Sequence, residues 1–274
     1  MNLTLWMMAL RQAKGLALSC ALLLFAFHWL FVWLASLIDL GWLSTFLKMG
    51  LKLPLQGLFP IPPDQVGTPG GMISLAFVDP VVLFTLTVWA IARGSNAVSG
   101  PLDRGTLEMV LAQPVRRVAI LGSHAGATLL GSALLATACW SGTAAGLTFI
   151  ELDETVPALR YVPAALNLFA FMFFLTGFTA MVSSWDRYRW RTIGWVGAIY
   201  MVQLILKVVA RMAQMDWLTW FTFFGPFEPS LLASPDANVL SLSLWYDGCF
   251  LVLGLGCYGI ATLVFCRRDL PAPL

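Results

Sequence analysis

The chain has 274 residues, 59% of them hydrophobic and 11% charged, with a net charge of +2. A soluble domain carries about 25% charged residues, so the composition excludes a water-soluble globule and predicts an integral membrane protein. So small a net charge offers no field to attract nucleic acid, and the five cysteines (Cys20, Cys139, Cys249, Cys257, Cys266) include no CxxC pair. They are read as packing residues. With His28 and His124 the only histidines, no metal site is expected.

In chain order, residues 2–14 place Trp6, Met7 and Met8 ahead of Arg11 and Lys14, a pattern that predicts an interfacial helix leading into the first span. A helix needs about 20 apolar residues to cross the hydrocarbon core. Spans are predicted over about 15–38, 80–99, 118–142, 161–185, 192–212 and 248–266. The second opens on Asp79 and Pro80, a natural N-cap and first helical residue. Six helical spans in one transmembrane domain, residues 1–274, is the resulting reading: an all-α membrane fold.

Six spans put both termini on one side. That side collects Arg11, Lys14, Arg93, Arg104, Arg116, Arg117, Arg187, Arg189, Arg191, Arg267 and Arg268. The other holds Lys48, Lys52, Arg160, Lys207 and Arg211, so the positive-inside rule predicts cytoplasmic termini. Lys207 and Arg211 are expected to snorkel from the end of the fifth span. Two outer segments are more than linkers. Residues 39–78 include the proline-glycine stretch LFPIPPDQVGTPGG, and residues 213–247 are rich in aromatics between Trp217 and Phe224. The second is expected to form a re-entrant or interfacial helical pair, broken at Pro226 and Pro229, and a folded external cap is the other form open to it.

Little in the spans suits catalysis. Ser123 and His124 are adjacent, and neighbours on a helix point about 100° apart, so they do not form a nucleophile–base pair. Gly122 and Gly126, and again Gly142 and Gly146, are instead read as small-residue faces for close helix packing. Asp79, Asp186 and Asp247 are placed at span ends, which leaves no pair of membrane-embedded carboxylates for proteolysis or proton relay. No lysine stands in a P-loop context, so ATP is not hydrolysed by that route in this chain.

Between the second and third spans lies SGPLDRGTLEMVLAQPVRR, residues 99–117. Gly105 breaks the segment, Thr106 can cap a helix running to Ala112, and Glu108 falls in its first turn, where the dipole favours an acid. Leu107, Val110 and Leu111 share one face. Pro114 ends the helix, and Arg116 and Arg117 mark the return to the headgroups. This knob is a short amphipathic helix, about 10 Å long.

The stretch 96–117 resembles the cytoplasmic loop of ABC-2 type transporter permeases, matching that pattern at Gly100, Gly105, Thr106, Leu107, Leu111, Pro114, Val115 and Arg117. FCRRDL, residues 265–270, resembles the family's closing motif. Two positions depart: Asn96 stands where the family usually has Asp, and Pro101 where it has Glu. The resemblance implies a permease subunit without its own cofactor, working in a bacterial inner membrane with a second permease subunit, in a homodimer. ATP and Mg would be bound by a separate ABC ATPase subunit. It further implies that Asp103, Arg104, Gly105, Thr106, Leu107, Glu108, Val110, Leu111 and Pro114 form a coupling helix inserted into a groove of that ATPase. No catalytic residue is implied. Spans poor in polar groups favour amphipathic cargo, or force transmission to an external accessory protein. The alternative class is a non-transporting membrane scaffold.

Overall fold

The computed structural model describes residues 3–38, 67–152, 154–234 and 238–268. Lys48, Lys52 and most of the first outer segment lie outside the described residues, as does the Asp269–Leu270 end of the closing motif. Among the described residues every regular element is helical, as hydrocarbon demands of backbone that must satisfy itself. Six helices, or continuous helical segments, are long and apolar enough to cross a membrane.

The first, α1 (Leu3–Leu37), is one unbroken helix. The N-terminal segment expected as a separate interfacial helix is its first three turns. No proline interrupts it, and Gly15 has nothing within 4 Å to bend against. After α2 (Pro69–Leu75), capped by the Thr68 hydroxyl at 3.1 Å from the Gly71 amide, comes a tight turn over Ala76–Val78. Asp79 then accepts from the Val81 amide at 2.8 Å and opens α3 (Pro80–Ser95). Sixteen residues rise about 24 Å, short of a 30 Å core, so α2 and the turn complete the second crossing. Two short helices, α4 (Ser99–Asp103) and α5 (Thr106–Leu111), precede α6 (Arg117–Phe149). Then come α7 (Val162–Trp185), α8 (Arg189–Met212), the single turns α9 (Asp216–Thr219) and α10 (Pro229–Leu232), and α11 (Val239–Arg267).

The core is built around α7, whose residues 170–177 are all buried, the mark of a helix hydrophobic on every side. Phe171 and Phe174 meet Phe223, Phe224, Phe227 and Phe250 there. α1 packs chiefly along α6, and α11 along α7. Gly142 and Gly146 lie in the first of these contacts: a Cβ on Gly142 would stand 3.0 Å from the Phe25 Cα, and one on Gly146 2.7 Å from the Val32 Cβ. Gly126 faces the Trp6 ring. Gly122 is a correction: it is exposed with nothing within 4 Å, because the helix face it shares with Gly126 leaves the α1 contact one turn earlier. Gly177 and Gly254 form an unpredicted close contact, a Cβ on Gly177 standing 3.0 Å from the Gly254 carbonyl oxygen.

The end of the bundle away from the termini is closed by the second outer segment, and there two sequence expectations change. Lys207 does not snorkel. Its ammonium is buried, donating to the Phe224 carbonyl at 3.0 Å and to the Phe227 carbonyl, and standing 3.1 Å from Glu228. Arg211 pairs with the same carboxylate through both oxygens. The segment therefore folds back onto α8, with Phe224 and Phe227 buried while Trp217, Trp220 and Phe221 stay exposed. Asp247 is not at a span end either. α11 starts at Val239, so Asp247 lies two turns inside, accepting from Asn167 and from Ser243 at 2.8 Å each.

Candidate coupling surface

Both described ends of the chain and the knob share one face of the bundle: Ala9 of α1 lies beside Arg93, and Arg117 reaches Phe265 and Arg268. The knob is an elbow of two short helices. Gly105 holds φ +69° between them, a left-handed conformation that disfavours a Cβ, although the space around it is open. Gly105, not Thr106, occupies the N-cap position of α5. The Thr106 hydroxyl instead donates back to the Pro101 carbonyl at 3.2 Å and closes the elbow. Arg104 donates to Asn96 Oδ1 at 2.9 Å, so the amide at this departing position still accepts the contact an aspartate would make as an ion pair.

The predicted site residues divide by exposure. Asp103, Arg104, Gly105, Thr106 and Pro114 are exposed, and Glu108, Val110 and Leu111 are half-buried. Leu107 is 2% exposed and packs with Val98, Leu121, Ala180, Ala261 and Phe265 of this chain. As an anchor for a partner's groove it is corrected. The i, i+3, i+4 face that looked free in sequence is turned onto the bundle, where burying a leucine is worth about 1.5–3 kcal/mol. The apolar side chain presented outward is Met109, 69% exposed.

Sequence reasoning missed the residues that fasten the elbow. The Ser183 hydroxyl of α7 accepts from the Val98 and Ser99 amides at 3.3 and 2.8 Å, and lies 3.1 Å from the Ser95 carbonyl. The Ser99 hydroxyl donates to the Ser95 carbonyl at 2.9 Å, and Thr192 of α8 donates to Ser99 Oγ at 3.1 Å. Ser95, Ser99, Ser183 and Thr192 are fully buried, so each bond is in a low-dielectric setting where losing a partner is costly. The only signal for them was hydroxyl residues in apolar spans, which serve as interhelical glue.

The elbow's downstream end is fastened as well. Arg117 donates to the Phe265 and Arg268 carbonyls at 3.0 and 2.7 Å, and Arg268 donates to the Ser184 and Asp186 carbonyls at 2.9 and 3.0 Å. Cations at helix C-termini are favoured by the dipole and by the free carbonyls. Arg117 thus caps α11, not a headgroup, and the elbow is joined to α3, α7, α8 and α11. Among the described residues Ser123 and His124 are not paired: Ser123 Oγ and His124 Nε2 each lack a hydrogen-bond partner there.

The described residues thus form a polytopic helical bundle with a short elbow fastened to four of its spans. The sequence matches the family described as multidrug efflux system permease Rv1217c, C-terminal domain, over residues 71–258. That is more than half of the chain, and the chain belongs to this family. No curated protein matches it, and no solved structure does.

Proposed function

We propose that this protein is the permease subunit of an ATP-driven exporter of the ABC-2 type. A separate ATPase subunit, which holds ATP and Mg, docks on the α4–α5 elbow. The observation that carries the reading is the elbow's attachment: a load applied to its exposed surface is transmitted through buried hydroxyls to α3, α7 and α8, and through Arg117 to α11. An interfacial loop helix needs no such fastening. The matched family's efflux designation supports export, and the apolar spans favour an amphipathic cargo. In this reading the chain pairs with a second copy in the inner membrane, with both termini cytoplasmic.

The docking surface is the outward side of the elbow: Asp103, Arg104 and Glu108 around Met109. A charge at the centre of a dry contact costs several kcal/mol. Met109→Asp should therefore abolish co-purification with the partner ATPase, leaving the amount of folded permease unchanged. Leu107→Asp should lower folded permease itself. Wild-type ATPase recovery with Met109→Asp would remove the elbow from the coupling path.

A further inference from the structure

A cavity of about 260 Å³ lies between the first turns of α1, the elbow and the start of α6. Its lining mixes the apolar side chains of Leu5, Met8 and Ile120 with the polar ones of Gln12, Arg104 and His124. No carboxylate among the described residues lines it. His124 Nε2 is buried without a hydrogen-bond partner among the described residues. Ala9 forms part of the lining, and its carbonyl is 3.5 Å from Arg93 Nη2. Arg93 is 3% exposed, its Nε has no partner, and it makes no ion pair among the described residues. Its guanidinium lies 6.0 Å from the centre of the Trp89 ring.

A buried guanidinium with an open donor and no counter-charge is costly unless an anion approaches it. The cavity also sits at a particular depth. It is framed by α1 residues 5–12 and α6 residues 120–124, the ends of two helices about 50 Å long, and so at headgroup level beyond a 30 Å core. Basic pockets between helices at that level suit lipid headgroups.

We propose that this cavity binds the headgroup of an anionic phospholipid from the leaflet on the termini's side. Arg104 and His124 hold the phosphate, Arg93 supplies charge behind the floor, and the glycerol lies against Met8 and Ile120. A free phosphate would leave the apolar lining residues facing a hydrated ion. A zwitterionic headgroup would bring an ammonium to a site lined by Arg104, with Arg93 behind it and no carboxylate among its described lining residues. The bound lipid would wedge α1 against the elbow; the cavity shares Arg104 and Met109 with the proposed docking surface, so lipid binding is measured without the ATPase.

The test uses the full purified chain in mild detergent, without ATPase. Native mass spectrometry would follow titration with phosphatidylglycerol or phosphatidylethanolamine of matched acyl chains. One phosphatidylglycerol should be retained at least about tenfold more tightly than the zwitterionic lipid. Arg104→Glu changes an exposed residue; it should lower that retention about tenfold with an unchanged melting temperature in lipid-free detergent. His124→Phe should do the same. Millimolar inorganic phosphate should fail to displace the lipid. Equal retention of the two lipids, wild-type retention by Arg104→Glu, or displacement by phosphate would each overturn the proposal. Lipid binding by the wild-type chain, together with wild-type ATPase recovery by Met109→Asp, would leave this site standing and the coupling reading refuted.

Discussion

Glu228 should be the residue whose loss most loosens the distal end of the bundle. Its carboxylate serves two cations, Lys207 at 3.1 Å and Arg211 through both oxygens. The three side chains are 11%, 24% and 15% exposed for Lys207, Arg211 and Glu228. Removing one partner of a fully buried ion pair costs about 3–5 kcal/mol, most of it from the stranded charge. Here Lys207 keeps the Phe224 and Phe227 carbonyls, and Arg211 is exposed enough to recruit water. Glu228→Ala is therefore expected to cost about 2–3 kcal/mol. Lys207→Met keeps the apolar stem and leaves the Arg211–Glu228 pair intact, so it should cost about 1–2 kcal/mol through the lost carbonyl contacts. In the double variant the stranded ammonium is gone, and the two costs should fall short of additivity by at least about 1 kcal/mol. Detergent-denaturation curves in bicelles, read by tryptophan fluorescence, measure all four corners of the cycle. A cost below about 0.5 kcal/mol for Glu228→Ala, or strict additivity, would show that the outer segment is held by its phenylalanines and its other hydrogen bonds, not by this ion-pair cluster.

Gly142→Leu with Gly146→Leu should drive α1 away from α6, costing about 1–3 kcal/mol by overpacking; Gly122→Leu, with open space around it, should melt with wild type in the same thermal assay. Ser183→Ala removes the oxygen that receives the Val98 and Ser99 amides, and stranding two buried donors should cost about 1–3 kcal/mol each. The readout is limited proteolysis: cleavage within 103–112 should accelerate while the spans stay protected, and an unchanged rate would mean the elbow is held elsewhere.

What the sequence by itself determined was everything set by local composition. Uncharged runs of about 20 residues require helices, so the number of spans and the Asp79–Pro80 start of α3 could be read directly, and Gly105 marked the break between α4 and α5 because its conformation is local. The tertiary structure decided which face each helix turns to which neighbour. Leu107, Val110 and Leu111 could be placed on one face of α5, but whether that face met a partner or the bundle was settled only when Leu107 was seen against Phe265 and Ala261, with Met109 left outward. Gly122 and Gly146 looked alike for the same reason, since a small residue matters only where a second backbone arrives. The polar contacts were the least legible. Ser183 meets Ser99 across 84 residues and Arg117 meets Phe265 across 148, and Lys207 and Glu228 find each other only because the outer segment folds back onto α8. Hydrogen bonds and ion pairs act over a few ångströms, and it is the packed bundle, not chain order, that brings such groups within that distance.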